Sequence, residues 1–254
     1  MSEADGVRPS DRPPPAGFVG HRGLQAAGPE NTLKAIAEAG RHGFVMCEVD
    51  PGVSSDGAWF LMHDETVDRT TDGSGALSSL LAEEVERLRI VSEPGLMDPD
   101  EVLHPPRFMS AAQEAGYWGM GLNVDGGKFP WTAALAEKLW EMLLAAGIAG
   151  RSAISLPSVD DRAVFARVVP ELAVIWATDV GSVHEDIAVA RERHRHPILA
   201  YRSSTLTEDA IRACNAAGIP VYAWAADGFR DANRWLRAGV KYVETDCELP
   251  DGRW

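Results

Sequence analysis

Apolar runs and amphipathic stretches alternate along almost the whole chain. Short apolar runs near 18–20, 44–50, 118–125, 153–156, 172–177, 198–201, 220–224 and 242–245 read as buried strands. Between them, Leu33, Ile36 and Ala37 share one face of a helix predicted over 32–41, which Gly43 ends. Helical spacing recurs near 110–115, 131–146, 159–168, 183–193, 206–217 and 230–238. Such alternation predicts a parallel sheet, and about eight units of it close as a (β/α)8 TIM barrel. A doubly wound open sheet competes, but no Gly-rich nucleotide loop supports it. After the turn Ser55-Asp56-Gly57, a short run at 59–63 extends the second strand. The excursion over 65–107 is too long for an ordinary connection and predicts a small functional insertion after that strand. Residues 1–16 hold Pro9 and Pro13-Pro14-Pro15 among polar residues and read as a disordered lead-in, leaving 17–254 as the barrel domain.

Several apolar runs end in residues that bind metals or move protons. Glu48 and Asp50 follow Phe44-Val45-Met46, and side chains at i and i+2 share a face of a strand. Two carboxylates on one face repel unless a cation lies between them, and Mg²⁺ or Ca²⁺ prefers such oxygen ligands. Two solvated charges on an edge strand are the plainer alternative. His21 and His63 each leave an apolar run, and together they fit a general base and a general acid around the carboxylate pair. Arg22 suits a phosphate, because its planar fork matches phosphate oxygens. Glu30-Asn31-Thr32 reads as a helix start with Asn31 as N-cap, or Glu30 hydrogen-bonds in the site.

Composition narrows the partners. The net charge of −14, from 24 basic and 38 acidic residues, argues against nucleic acid and anionic membrane. It also requires a metal with Arg22, and Lys128, to reverse the field locally for an anionic substrate. Cys47, Cys214 and Cys247 form no CxxC pair or disulfide framework, which suits a reducing compartment. No apolar run approaches a membrane span, so no stable membrane insertion is expected. The start Met1-Ser2-Glu3-Ala4-Asp5 lacks a signal peptide's pattern, making the cytoplasm the expected location.

His21-Arg22-Gly23, Pro29-Glu30-Asn31-Thr32, Glu48-x-Asp50, Asp56-Gly57, His63-Asp64 and Arg69-Thr70-Thr71 occur in an order and spacing that resemble the glycerophosphodiester phosphodiesterases. The resemblance returns at Val221-Tyr222-Ala223-Trp224 and from Gly239-Val240 through Thr245-Asp246. It implies a TIM barrel, a divalent metal, Mg²⁺ or Ca²⁺, and hydrolysis of small-molecule phosphodiesters to sn-glycerol 3-phosphate and an alcohol. It also implies Asp125 as third metal ligand beside Glu48 and Asp50, where the family usually has the glutamate of a Glu-x-Lys. Lys128 then comes one residue late, after Gly126-Gly127, which reads as a bulge re-aiming it or as a helix entry. The related sphingomyelinase D-like phospholipases use aspartate at that place but lack the His-Arg-Gly opening.

Trp224 takes the place of an aromatic wall beside the glycerol, and Asp227 replaces the usual asparagine. Arg69-Thr70-Thr71 reads as turn-stabilising, Thr245-Asp246 as structural, and His42, His104, His184, His194 and His196 as surface or loop residues. Two alternatives stay open. One is an enzyme acting on lysophospholipid or phosphoinositide, for which an apolar rim from Leu96, Met97, Val102, Leu103 and Phe108 would speak. The other is an inactive barrel that binds a phosphorylated ligand.

Overall fold

The computed structural model describes residues 15–91, 95–98, 100–177, 182–226 and 228–246. Residues 1–14, Asp227 and Cys247, on which the sequence reading also bears, lie outside them. The chain runs β1 (Gly17–Gly20), α1 (Leu33–Arg41), β2 (Met46–Val49), β3 (Pro51–Val53), β4 (Trp59–Leu61), α2 (Ala82–Val85), α3 (Phe108–Tyr117), β5 (Gly121–Asp125) and α4 (Ala133–Ala145). It continues with β6 (Ala153–Ser155), α5 (Val159–Val168), β7 (Ala173–Ala177), α6 (Val183–Arg193), β8 (Pro197–Arg202), α7 (Glu208–Ala216), β9 (Val221–Ala226), α8 (Phe229–Ala238) and β10 (Tyr242–Thr245). Eight parallel strands close in the order β1-β10-β9-β8-β7-β6-β5-β2. The expected TIM barrel is therefore the fold, with β3 and β4 as an antiparallel hairpin beside it.

Strand alternation sorts the side chains into two layers. Phe18, Cys47, Val49, Leu122, Val124 and Val243 face outward, in one apolar cluster with helix residues such as Ile36, Phe108 and Leu139. Val19, Met46, Ala153, Ile175, Tyr222 and Tyr242 fill the barrel interior. Toward the strands' C-terminal ends the interior turns polar, with Glu48, Asn123 and Glu244 buried there. Inward positions that are apolar at one end and acidic at the other place the chemistry on a single rim.

Two local expectations change. Thr32, not Asn31, caps α1, its hydroxyl accepting from the Ala35 amide at 3.2 Å. Asn31 instead adopts a left-handed φ of 55° and turns its side chain to Asp50. His194 is buried rather than on the surface. The segment after β4 packs on the hairpin through its own cluster of Phe60, Met62, Val67, Leu77, Ala82 and Val85. Phe108 belongs to the main core, fully buried in α3, and so drops out of the expected apolar rim, whereas Val102 is exposed. Among the described residues no helix is long and apolar enough to cross a membrane.

Candidate active site

Glu48 faces inward one residue before the end of β2, and Asp50 follows it two residues on, so the two carboxylates project to the same side. Register places Glu48 beside Asn123 and Asp125 beside Ser155 on neighbouring strands. The result is a cluster in which one ligand oxygen each of Glu48, Asp50 and Asp125 lies within 4.8 Å of the others. The surrounding cavity, about 370 Å³, is lined by all three and by His21, Arg22, His63, Trp224, Tyr222 and Glu244. Lys128 and Glu30 sit just outside this lining, Lys128 against the carboxylates and Glu30 behind Arg22.

Each acid is held differently. Asp50, 2% exposed, is clasped by Asn31, whose side-chain amide donates to Oδ2 at 2.8 Å and accepts from the Asp50 amide at 3.1 Å. Glu48 accepts from the Arg22 amide at 2.8 Å. Burial first, then the charges of Asp50 and Glu244, push its pKa well up against that hydrogen bond. Lys128 Nζ lies 3.2 Å from Asp50 and 3.7 Å from Asp125 and donates to the His63 carbonyl at 2.9 Å. The Lys128 ammonium and the Arg22 guanidinium, 3.6 Å from Asp50, face three carboxylates, which leaves the cluster short of positive charge. A set of three hard oxygen donors with Glu48 so destabilised as an anion fits a divalent cation.

The loop between β5 and α4 explains how Lys128 gets there. The Gly126 amide continues the ladder to the Ser155 carbonyl at 2.8 Å, and the Gly127 amide turns back to Asp125 Oδ1 at 3.0 Å. The glycine pair thus makes a turn after the strand rather than a bulge within it. A Cβ on Gly126 would stand 2.8 Å from the Ser155 carbonyl oxygen and 2.5 Å from Leu156 Cδ2, so the close backbone approach needs glycine.

Arg22 takes a left-handed φ of 53°, an uncommon conformation for a residue with a side chain. That turn sends its amide to Glu48 while its guanidinium donates to Glu30 Oε1 at 3.1 Å. Its Nε is buried without a hydrogen-bond partner, 3.6 Å from Asp50 Oδ2. A buried cationic donor without a hydrogen-bond acceptor at the edge of a cavity suits an anionic ligand.

Both histidines carry an aspartate on Nδ1. His63 meets Asp64 at 2.6 Å, and His21 meets Asp246 at 2.7 Å. Asp64 is gripped by Arg69 through both oxygens, at 2.7 and 3.0 Å. Arg69 also forks onto Glu30 at 2.8 Å twice. Arg69 thereby ties the insertion to the rim, more than a local turn would require. Burial raises the Glu30 pKa, but the hydrogen bonds from Arg69 and the charges of both arginines outweigh it and hold Glu30 low. Arg69 and His63 likewise hold Asp64 far below the usual carboxylate range.

Glu244, which the sequence reading passed over, lies on the inner wall. Tyr222 donates to it at 2.5 Å, Asn123 donates to the Tyr222 hydroxyl at 3.1 Å, and Ser155 donates to Asn123 at 2.9 Å. Glu244-Thr245-Asp246 repeats the Glu-x-Asp spacing of Glu48-Val49-Asp50, a signal present in the sequence. Trp224 lines the cavity and is stacked by Arg202, 4.2 Å from its ring centroid.

Similarity to known proteins now bears on this site. The rat glycerophosphodiester phosphodiesterase 1 is 27% identical over 277 residues, covering 96% of this chain and 81% of that protein. A glycerophosphodiester phosphodiesterase of Caldanaerobacter subterraneus is 25% identical over 240 residues, covering 90% of this chain and 93% of its own. The crystal structure of an Agrobacterium tumefaciens glycerophosphodiester phosphodiesterase shares the fold with a TM-score of 0.76, at 22% identity over 91% of this chain and 96% of that one. So does an Oleispira antarctica phosphodiesterase in complex with the product sn-glycerol-3-phosphate, with a TM-score of 0.70, at 21% identity over 91% of this chain and 93% of that one. These relationships define a phosphoric diester hydrolase on a TIM barrel. The chain belongs to the glycerophosphoryl diester phosphodiesterase family, whose model matches residues 21–150, just over half its length.

Proposed function

We propose that residues 17–254 form one catalytic domain. It hydrolyses glycerophosphodiesters to sn-glycerol 3-phosphate and an alcohol with a divalent cation held by Glu48, Asp50 and Asp125. The observation that carries this reading is the convergence of those three carboxylates with His21, His63 and Arg22 on one cavity. Mg²⁺ or Ca²⁺ bound there would supply positive charge to a non-bridging phosphate oxygen. Arg22, with its unpaired Nε, holds a second phosphate oxygen and stabilises the charge that grows on it. Lys128 adds a positive charge at the same edge, and Trp224 walls the organic part of the substrate.

One of His21 and His63 takes the proton of the attacking hydroxyl as its oxygen bonds to phosphorus. The other gives a proton to the alcohol oxygen as its bond to phosphorus breaks. Glu30 holds Arg22 in place from behind and touches no substrate in this scheme. The test is release of sn-glycerol 3-phosphate from a panel of glycerophosphodiesters, with Mg²⁺, with Ca²⁺ and with chelator. Turnover that survives full chelation would refute the metal assignment, and no turnover on any diester despite metal binding would favour an inactive binding barrel.

A second substrate class has an observation of its own. A cavity of about 620 Å³ adjoins His63 and Lys128, walled by Val53, Met62, Leu77, Phe129 and Leu135 among others. Apolar walls next to the reacting groups favour a substrate carrying a hydrocarbon chain, such as a lysophospholipid. Including a lysophospholipid in the panel separates the two classes.

A further inference from the structure

One short contact at the site has no part in the scheme above. Barrel closure pairs Gly20 of β1 with Thr245 of β10. The residues that follow the two strands, His21 and Asp246, therefore come out of the rim side by side although 225 positions separate them. Asp246 Oδ1 sits 2.7 Å from His21 Nδ1. Gln25 closes the group: its Nε2 also lies 3.0 Å from His21 Nδ1, but its two hydrogens go to Asp246 Oδ1 at 2.9 Å and the His21 carbonyl at 3.2 Å, leaving none for Nδ1. A carboxylate accepts hydrogen bonds and cannot donate them, so Nδ1 carries the hydrogen. With Nδ1 engaged, Nε2 is the nitrogen free to act, and His21 lines the cavity.

We propose that Asp246 is a positioning residue for His21: it fixes the ring through Nδ1 and presents Nε2 to the reacting oxygen. This rests on the reading of His21 as one of the two proton-transfer groups.

The other histidine shows why the contact matters. Asp64, the partner of His63, spends much of its charge on Arg69, which holds both its oxygens. Asp246 forms no ion pair with lysine or arginine among the described residues; its ion-pair partner is His21. Around His21 the charged groups are Glu244 and Asp246 from β10 and its end, and Arg22 beside it. Burial alone would draw its pKa down, yet the hydrogen bond to Asp246 and the charges of Glu244 and Asp246 raise it, against Arg22. Nδ1 is thus held by a carboxylate with no competing lysine or arginine ion pair among the described residues, a geometry that fixes both tautomer and ring plane.

The experiment measures glycerophosphocholine hydrolysis with saturating Mg²⁺, as a function of pH, for wild type, Asp246→Asn, Asp246→Glu, His21→Ala and the His21→Ala/Asp246→Asn pair. Thermal melts of each are run alongside. Asp246→Asn is expected to lower kcat by about tenfold or more with KM nearly unchanged, since an amide partner can hold the wrong tautomer. The limb of the pH profile that His21 controls should move to lower pH. Asp246→Glu should recover part of the rate and the original limb. The double variant should be no slower than His21→Ala alone.

Wild-type kcat and pH profile in Asp246→Asn, beside a crippled His21→Ala, would overturn the proposal while leaving the catalytic reading intact. So would an Asp246→Asn loss that multiplies in full onto His21→Ala. A wild-type rate in His21→Ala would instead sink the catalytic reading itself. If Asp246→Asn does not fold, Asp246→Ser and Asp246→Glu carry the same comparison.

Discussion

At the scale of single residues, each of the two histidines has an aspartate on Nδ1 and each acid of the cluster has its own hydrogen-bond or charge partners. Changing either His21 or His63 to alanine should cost on the order of a hundredfold in kcat, checked by steady-state assay with folding verified by melting. Asn31 offers a sharper test, because its side-chain hydrogen bonds go to Asp50 and it meets no substrate in the proposed scheme. Asn31→Ala strips the buried Asp50 of a donor to its carboxylate and of the acceptor for its backbone amide, and should destabilise the protein by about 2 kcal/mol. Urea unfolding measures that loss, and calorimetry should show weaker metal binding.

Residues whose chemistry is declared locally were legible in the sequence. Glu48 and Asp50 stand two apart on a strand, and His21, Arg22 and His63 follow apolar runs. Residues whose role depends on a distant neighbour were not. Asn31 resembled a helix cap because asparagine often is one, and only its left-handed backbone frees it for Asp50. Glu244 and Asp246 gain meaning from the seam that joins the last strand to the first.

At the scale of elements, the rim is built where strand ends meet loops that cannot tolerate bulk. Gly126 lies between β5 and the turn that returns Lys128 to Asp50 and Asp125. Gly126→Ala should cost about 1–3 kcal/mol through overpacking against β6, read from urea midpoints. It should also weaken metal binding more than it changes helix content, because the displaced segment carries Asp125 and Lys128. The strand order was legible because apolar runs and helical spacing alternate regularly. The cluster that anchors the insertion was not, since Phe60, Val67, Leu77 and Val85 follow neither strand nor helix period in sequence. Contacts made by irregular backbone leave no periodic trace.

For the molecule as a whole, buried like charges make stability depend on pH and on metal together. The ordinary Glu48 value is 4.5, and its folded value lies well above that, chiefly through burial and then the charge of Asp50. The folded state therefore binds the proton more tightly than the unfolded state. The stability this group contributes is complete below 4.5 and is lost as pH rises through the folded value. A cation in the cluster opposes that loss, because it binds the deprotonated form. Melts in EDTA should fall as pH rises above the ordinary Glu48 value of 4.5, and the gain in Tm from Mg²⁺ should grow along with that fall. A metal-induced shift independent of pH would contradict the assignment of Glu48 as a ligand.

The backbone twist at Arg22 carries a cost of its own. A left-handed conformation with a side chain attached is unfavourable by roughly 1–2 kcal/mol, and glycine is largely exempt. Arg22→Gly should therefore fold more stably than Arg22→Ala, although both have discarded the guanidinium and should be nearly inactive. A more robust protein that no longer turns over substrate would mark this turn as a place where selection has kept strain in exchange for chemistry.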